Sequence, residues 1–273
     1  MSRHSKHHLD TIEYIGPRPQ KRRTPKRSNF LAGWVVLLIA LGCVYFLGKP
    51  FLPLLQAQQM TASSERADEL IAELQTSAKS GERLAAAALL RTRFEVTYED
   101  AYYAIDPVNG DIPTNKGRAE DLVIRAYRAI GIDLQQRVHQ DISQHFDQYP
   151  QIFGRKMADP NIDHRLTENL RRFFRRAGAE ILVLDSNDNQ APSRNSQDYQ
   201  YGDVITWRLV GGRSHIGIVV PGPGEKRDHR WIVHNIDTGP VWEDCLLDYK
   251  VTGHYRYSPD DVEQVKSLVG ESS

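Results

Sequence analysis

A run of 20 residues without a charged side chain, Asn29 to Gly48, constrains this chain more than any other feature of its sequence. A helix of 20 residues is about 30 Å long, which matches the hydrocarbon core of a bilayer. Residues 1–28 contain eight basic and two acidic side chains. Because basic segments stay in the cytoplasm, the sequence predicts one transmembrane helix with a cytoplasmic amino terminus and an exported remainder.

Two alternatives to a membrane anchor remain open. A cleaved signal peptide would need a processing site, which the residues near position 57 loosely suggest, but its apolar region is usually shorter and its basic region less extended. A buried core helix is disfavoured by the basic flank and by apolar side chains all round the helix. The basic segment itself is expected to set orientation and to contact anionic lipid.

Charge and cysteine content exclude some classes of protein. The 35 basic and 35 acidic residues balance, so the whole chain gives no indication of a nucleic-acid partner. Cys43 lies in the apolar run and Cys245 is alone in the exported part, so no internal disulfide is available there. Cys245 has apolar neighbours and is interpreted as core filler.

Five segments are predicted. They are a basic cytoplasmic segment (1–28), the transmembrane helix (29–48), a helical stalk or linker (49–92), a periplasmic domain (93–258) and a carboxyl-terminal tail (259–273). Ser64 and Ser80 are predicted to cap two short helices between residues 60 and 95, which form either a stalk or the first layer of the domain.

Periodicity separates the domain into a helical half and a strand half. Apolar spacing predicts helices over 120–130, 133–146 and 166–177, and alternation predicts strands over 181–185, 203–209, 215–220, 231–236 and 252–257. Helices followed by a run of strands indicate an α+β fold with an antiparallel sheet.

Two histidines on consecutive strands are candidates for chemistry. If these strands pair antiparallel, His215 and His234 come within reach on one side of the sheet, where Gly217 leaves room. An imidazole held by a second polar group is the arrangement of a general base. A single histidine on a strand is more often structural. The helix that starts near Gly117 is where a nucleophile would be activated, yet no Cys, Ser or Thr lies between Thr114 and Asp121.

Six ordered motifs carry a resemblance to a known family over about residues 84 to 258. They are GRAEDLVIRAYRAIGIDLQ (117–135), NIDHR (161–165), YGDVITWRL (201–209), SHIGIVV (214–220), HNI (234–236) and TGHYR (252–256). They resemble the bacterial domain-of-unknown-function family 1287, the YijF-like proteins. That family is similar to the NlpC-type, papain-like cysteine peptidases and amidases that cut peptidoglycan peptides.

The resemblance implies a papain-like NlpC-type domain that has lost its nucleophile. Where the family motif has a cysteine, this chain has Ala119, and a methyl group cannot attack a carbonyl. His215 matches the general base of the family, and His234 or the adjacent Asn235 matches the residue that orients it.

Further polar residues are candidates for binding. The resemblance implies a cleft role for Asp121, Asn161, Asp163, His164 and Arg165, although a helix cap with an Asp163–Arg165 surface contact would also explain the second motif. Asp121, Asp163, His164, His215 and His234 could in principle bind zinc, but they lack a recognised ligand spacing, so no metal or cofactor is predicted. Cys245 is not expected to replace the missing nucleophile.

The expected function is binding without cleavage. The chain is predicted to be an inner-membrane protein whose periplasmic domain binds peptidoglycan stem peptides or an envelope protein. One alternative is an active amidase or endopeptidase that uses water or a metal in place of the cysteine. Another is a scaffold subunit of an envelope complex.

Overall fold

The structure is a computed structural model that describes Gly16 and residues 30–48, 65–184, 189–224, 229–237 and 239–258. Most of the predicted basic segment, the predicted cap Ser64 and the predicted tail therefore lie outside the described residues. The chain divides into two compact units, Met1–Gln58 and Gln59–Ser273, and each is described by itself.

In the described part of the first unit there is one helix, α1, from Phe30 to Gly48, which covers the apolar run except for its first residue. Its side chains are described for positions 33–43 and 45. Within the described part of the chain, no helix meets both the length and the hydropathy that crossing a membrane requires. The membrane span stays a prediction from the sequence.

The second unit has five α-helices in its described part. They are α2 (65–75), α3 (Ser80–Arg91), α4 (Ala119–Ala129), α5 (Leu134–Gln144) and α6 (Thr167–Arg176). The last three confirm the helices predicted from apolar spacing. Ser80 does not cap α3 as predicted, because it is already the first helical residue and Lys79 occupies the cap position without a side-chain hydrogen bond.

The main sheet has five strands, which are β5 Val204–Arg208, β6 Ser214–Pro221, β7 Arg230–Asn235, β8 Pro240–Glu243 and β9 Lys250–Tyr255. All neighbours in this sheet are antiparallel, and the strand order is β8-β7-β6-β5-β9. Two further pairs are short: β1 (Thr97–Tyr98) runs parallel to β2 (Lys116–Gly117), and β3 (Val183–Leu184) runs antiparallel to β4 (Gln190–Ala191). The predicted α+β class with an antiparallel sheet is confirmed.

The helices cover one face of the sheet. Along β6, Ile216, Ile218 and Val220 belong to the larger core together with residues of α3 to α6. Val219, on the opposite face, belongs to a smaller core that includes Cys245. This is the period-two alternation of a strand buried on both sides.

Helix α3 belongs to the larger core. Its residues 84–89 are buried against α4 and β6. The sequence left open whether this helix belongs to a stalk or to the first layer of the domain. The packing shows that α3 is a layer of the packed unit. The core therefore extends to the amino-terminal side of the predicted domain boundary at residue 93.

Candidate functional site

Antiparallel pairing of β6 with β7 brings the two candidate histidines together. Gly217 lies directly opposite His234, and His215 is two residues earlier on the same face of β6. The two imidazoles are joined by a contact of 2.8 Å between His215 Nε2 and His234 Nδ1. Gly217 makes this possible, since a Cβ there would lie 2.9 Å from Ile232 Cγ2 and 3.0 Å from His234 Cβ.

Both imidazoles are held by further neighbours. Trp207 lies opposite His215 on β5, with ring centroids 6.0 Å apart. On the other side of the pair, His234 Nε2 lies 3.3 Å from Glu243 Oε2 and 3.6 Å from Cys245 Sγ. The histidine pair is therefore part of a row of polar groups that crosses the sheet from β6 to the segment after β8.

Burial keeps both histidines neutral at pH 7. It lowers the pKa of His215 to about 3, and the nearby His234 and Arg213 act in the same direction. Burial also lowers the pKa of His234, against the opposite effect of the Glu243 carboxylate. If Glu243 accepts the proton of His234 Nε2, then His234 Nδ1 accepts from His215 Nε2, and the lone pair of His215 remains on Nδ1. That is the tautomer of a general base.

A pocket of about 100 Å³ brings His215 and Ala119 to the same site. Ala119 is the first residue of α4 and is 3% exposed. The other residues that line this Ala119 pocket are Tyr98, Arg118, Glu120, Arg213, Ser214 and Asn235. The start of α4, the start of β6 and the end of β7 thus meet here, and sequence reasoning singled out three of the eight lining residues.

Asn235 lines the pocket but does not orient His215. Its side chain lies on the opposite face of β7 from His234, where Nδ2 donates to the carbonyl oxygen of Gly117 at 3.1 Å. The backbone N–H of Gly239 donates to its Oδ1 at 3.2 Å. Of the two predicted orienting residues, His234 contacts His215, whereas Asn235 fixes the backbone that leads into α4.

Asp121 and Arg165 form a buried ion pair rather than part of the pocket lining. Arg165 Nε and Nη2 lie 2.8 Å and 3.1 Å from the two carboxylate oxygens of Asp121, and both side chains are almost fully buried. Asp121 also accepts from the backbone N–H of Arg118 at 2.8 Å. These two residues therefore do not line the Ala119 pocket; they fix the first turn of α4, and their cleft role stays a prediction.

The other residues of the NIDHR motif also lie outside the Ala119 pocket. Asp163 is fully buried and bonds to Arg155 Nη1 at 2.7 Å and to the backbone N–H of Asp159 at 2.8 Å. Asn161 Oδ1 accepts from the backbone N–H of Ile105 at 2.8 Å. Neither these residues nor the buried His164 line the pocket. The surface contact between Asp163 and Arg165 does not form either, since each binds a different partner.

Comparison with known proteins identifies the family. Residues 85–257 match the family described as Domain of unknown function (DUF1287). The chain belongs to this family. Uncharacterized protein YijF of Escherichia coli (strain K12) is 41% identical over 162 residues, which are 59% of this chain and 73% of YijF. No solved structure matches the chain.

The matched DUF1287 region contains every residue that lines the Ala119 pocket and both histidines of the pair. It excludes α1. A second pocket, of about 720 Å³, is lined by residues 78–84 and by residues near Tyr201 and Tyr257. Although it is larger, it contains none of the predicted site residues, so the Ala119 pocket is the candidate site.

The five residues considered as possible zinc ligands do not form one group, although His215 and His234 are in contact. Asp121 and Asp163 are held in separate ion pairs with arginines. A different group, His234, Glu243 and Cys245, has ligand atoms that all lie within 4.8 Å of one another. Cys245 is buried in the smaller core as predicted, and its Sγ also contacts His234. Sequence reasoning missed this group because β8, which carries Glu243, was not predicted as a strand.

Proposed function

We propose that this chain is a membrane-anchored periplasmic protein with a papain-like, NlpC-type domain, which binds peptidoglycan stem peptides without cleaving them. The observation that carries the proposal is the position of Ala119. It begins α4 in the same pocket as His215, at the point where an enzyme of that type has its nucleophile.

The order of the site along the chain supports the papain-like assignment. A helix start comes first, a histidine on a strand follows, and a polar residue that contacts this histidine lies on the next strand. The amino end of a helix carries partial positive charge, which would favour a thiolate at position 119. A methyl group at that position removes covalent catalysis and leaves the rest of the arrangement in place.

The pocket retains groups that can bind a peptide. His215 lines the pocket, and its Nδ1, which is not the nitrogen that contacts His234, is the atom to which a ligand would bond. Arg118 and Glu120, 3.6 Å apart, add charges of both signs to the lining. A volume of about 100 Å³ holds one side chain or terminal group, so the pocket would bind one residue of a stem peptide while the remainder lies outside it.

Filling the pocket tests the binding proposal. Muropeptides are titrated into the wild-type protein and into Ala119→Leu, whose larger side chain occupies the pocket. Ala104→Leu is the matched control, because Ala104 is exposed and lies outside the pocket. We expect binding by the wild type and by Ala104→Leu, and loss of binding by Ala119→Leu. Equal binding by all three would place the ligand outside the pocket, and no binding by the wild type would favour a scaffold role; either result would contradict the proposal.

The membrane anchor is part of the same proposal and rests on the charge-free run Asn29 to Gly48. Cell fractionation of the full chain, compared with a chain that begins at Gln59, tests it. We expect the full chain in the inner membrane, with its carboxyl-terminal unit open to protease added from the periplasmic side. A full chain found only in the soluble fraction would rule the anchor out.

Catalysis through water is the second candidate, because the lone pair of His215 could activate a water molecule in the Ala119 pocket. This second candidate predicts that the wild-type protein releases cleaved muropeptides, whereas the first proposal predicts that it does not.

A further inference from the structure

His234 Nε2 faces two ligand-type side chains that the proposed function does not use. Glu243 Oε2 lies 3.3 Å from this nitrogen and Cys245 Sγ lies 3.6 Å from it. None of the three residues lines the Ala119 pocket. A thiol, an imidazole and a carboxylate therefore converge on the far side of His234 from His215.

The two distances match the edges of a zinc tetrahedron. Zinc–sulfur bonds are about 2.3 Å and zinc–nitrogen and zinc–oxygen bonds about 2.0–2.1 Å, so a tetrahedral angle places sulfur about 3.6 Å and oxygen about 3.3 Å from the nitrogen. A charge-assisted hydrogen bond between nitrogen and oxygen is about 2.7–2.9 Å. The separation of 3.3 Å between His234 and Glu243 is thus long for a hydrogen bond and suits two ligands of one ion.

The ligand types and their burial suit the same ion. Thiolate, imidazole and carboxylate are the side chains that bind zinc, and sites with three protein ligands leave a fourth position open. Cys245 is buried and the side chain of Glu243 is 55% exposed, so an ion can enter from the side of Glu243. The three ligand atoms all lie within 4.8 Å of one another, and Glu243, on the outside, can move to complete the geometry.

We propose that His234 Nε2, Glu243 Oε2 and Cys245 Sγ bind a zinc ion, with the fourth position open to solvent. The zinc–sulfur bond forms as the thiol loses its proton to solvent. Because the ligand is the thiolate, binding at neutral pH releases one proton.

Zinc at this position would set the tautomer of the histidine pair. A neutral imidazole bound to a metal through Nε2 carries its proton on Nδ1, and His234 Nδ1 would then donate to His215 Nε2. The proton of His215 would therefore lie on Nδ1, where it can donate to a ligand in the pocket. This is the opposite of the arrangement in which Glu243 accepts from His234. The inference holds whichever ligand the Ala119 pocket takes.

Titration with Co²⁺ tests the proposal. Cobalt can take the place of zinc, and its absorption spectrum shows whether a thiolate is bound to it. The full chain carrying Cys43→Ser, in detergent, has Cys245 as its single thiol. We expect one equivalent of Co²⁺ to produce a thiolate-to-cobalt charge-transfer band and Zn²⁺ to abolish it. Adding Cys245→Ser should remove the band, and adding Glu243→Gln should weaken Co²⁺ binding by roughly tenfold or more.

The controls separate a failed site from a failed fold. Glu243 is exposed enough for its amide variant to fold, and Asp244→Asn changes the neighbouring carboxylate and should leave Co²⁺ affinity unchanged. In the histidine ¹⁵N spectrum, Zn²⁺ should move the proton of His215 from Nε2 to Nδ1. A folded protein without the thiolate band, or with a band that Glu243→Gln does not weaken, would overturn the proposal. Neither result depends on muropeptide binding.

Discussion

The guanidinium of Arg165 shows how single polar residues hold the candidate site without lining it. It is fully buried and bonds to Asp121 with two nitrogens and to the carbonyl oxygen of Ala101 at 2.8 Å. Removing one member of a buried ion pair leaves the other charge without compensation, which costs about 3–5 kcal/mol.

We therefore expect Arg165→Met to lower the free energy of unfolding by about 3–5 kcal/mol, measured by urea denaturation. The matched control is Arg175→Met, because Arg175 pairs with Glu180 at the surface and exposed pairs contribute about 1 kcal/mol or less. Equal losses in the two variants would show that Asp121 does not depend on Arg165.

His164 is predicted to make stability depend on pH. Burial lowers its pKa from 6.5 to about 3, with Arg165 and Arg128 acting in the same direction. Between these values the unfolded chain binds a proton that the folded chain does not. The contribution of His164 is therefore complete above pH 6.5 and is lost as the pH falls below it.

The size of this effect follows from the two pKa values. The wild type should lose about 1.4 kcal/mol more than His164→Gln between pH 7.5 and pH 5.5, measured by urea denaturation at each pH. Parallel pH profiles for the two proteins would mean that folded His164 takes up a proton as readily as the unfolded chain does.

Which residues lie close together was easier to predict from the sequence than what those residues do. Antiparallel pairing was enough to place His215 beside His234. The family resemblance implied a cleft role for Asp163 and Arg165, but it carried no information on their burial. The partner of Arg165 is Asp121, 44 residues away in the sequence, and no local pattern reveals this pairing.

At the level of elements, the contact between β6 and β7 depends on Gly217. A Cβ at this position would lie 3.0 Å from the carbonyl oxygen of Val233 as well as close to His234 and Ile232. We expect Gly217→Ala to cost about 1–3 kcal/mol of stability, as overpacked cores do, measured by urea denaturation.

The same substitution should disturb the histidine pair. Pushing His234 away lengthens its bond to His215, so the histidine ¹⁵N shifts of both residues should move in Gly217→Ala. Unchanged stability together with unchanged shifts would show that the two strands can separate without cost.

Periodicity predicted the elements that bury a clear apolar face. Each of the helices α4 to α6 has an apolar face. The sequence is also apolar enough to predict four strands of the main sheet, β5, β6, β7 and β9. Strand β8 was missed because it has four residues, begins with a proline and alternates only weakly. The predicted strand over 181–185 forms only the two residues of β3, which pair with β4 apart from the main sheet.

For the whole molecule, the order of helices and strands was enough to predict the α+β class, because a run of strands joined by short turns pairs antiparallel. The order of elements did not predict how much of the chain belongs to the packed core. Residues 84–89 of α3 are rich in alanine, which favours a helix in a stalk as much as in a core, and only the packing against α4 and β6 distinguishes the two.

The central claim is that this molecule keeps the site of a cysteine hydrolase and lacks its nucleophile. The most direct measurement incubates peptidoglycan and muropeptides, in the presence of EDTA so that His215 Nδ1 keeps its lone pair, with the wild type, Ala119→Cys and Ala119→Cys/His215→Ala, and identifies the products by mass spectrometry. The account predicts cleavage by Ala119→Cys alone, because only that variant has both a thiol at the start of α4 and His215 beside it. Products released by the wild type, or by none of the three, would contradict it.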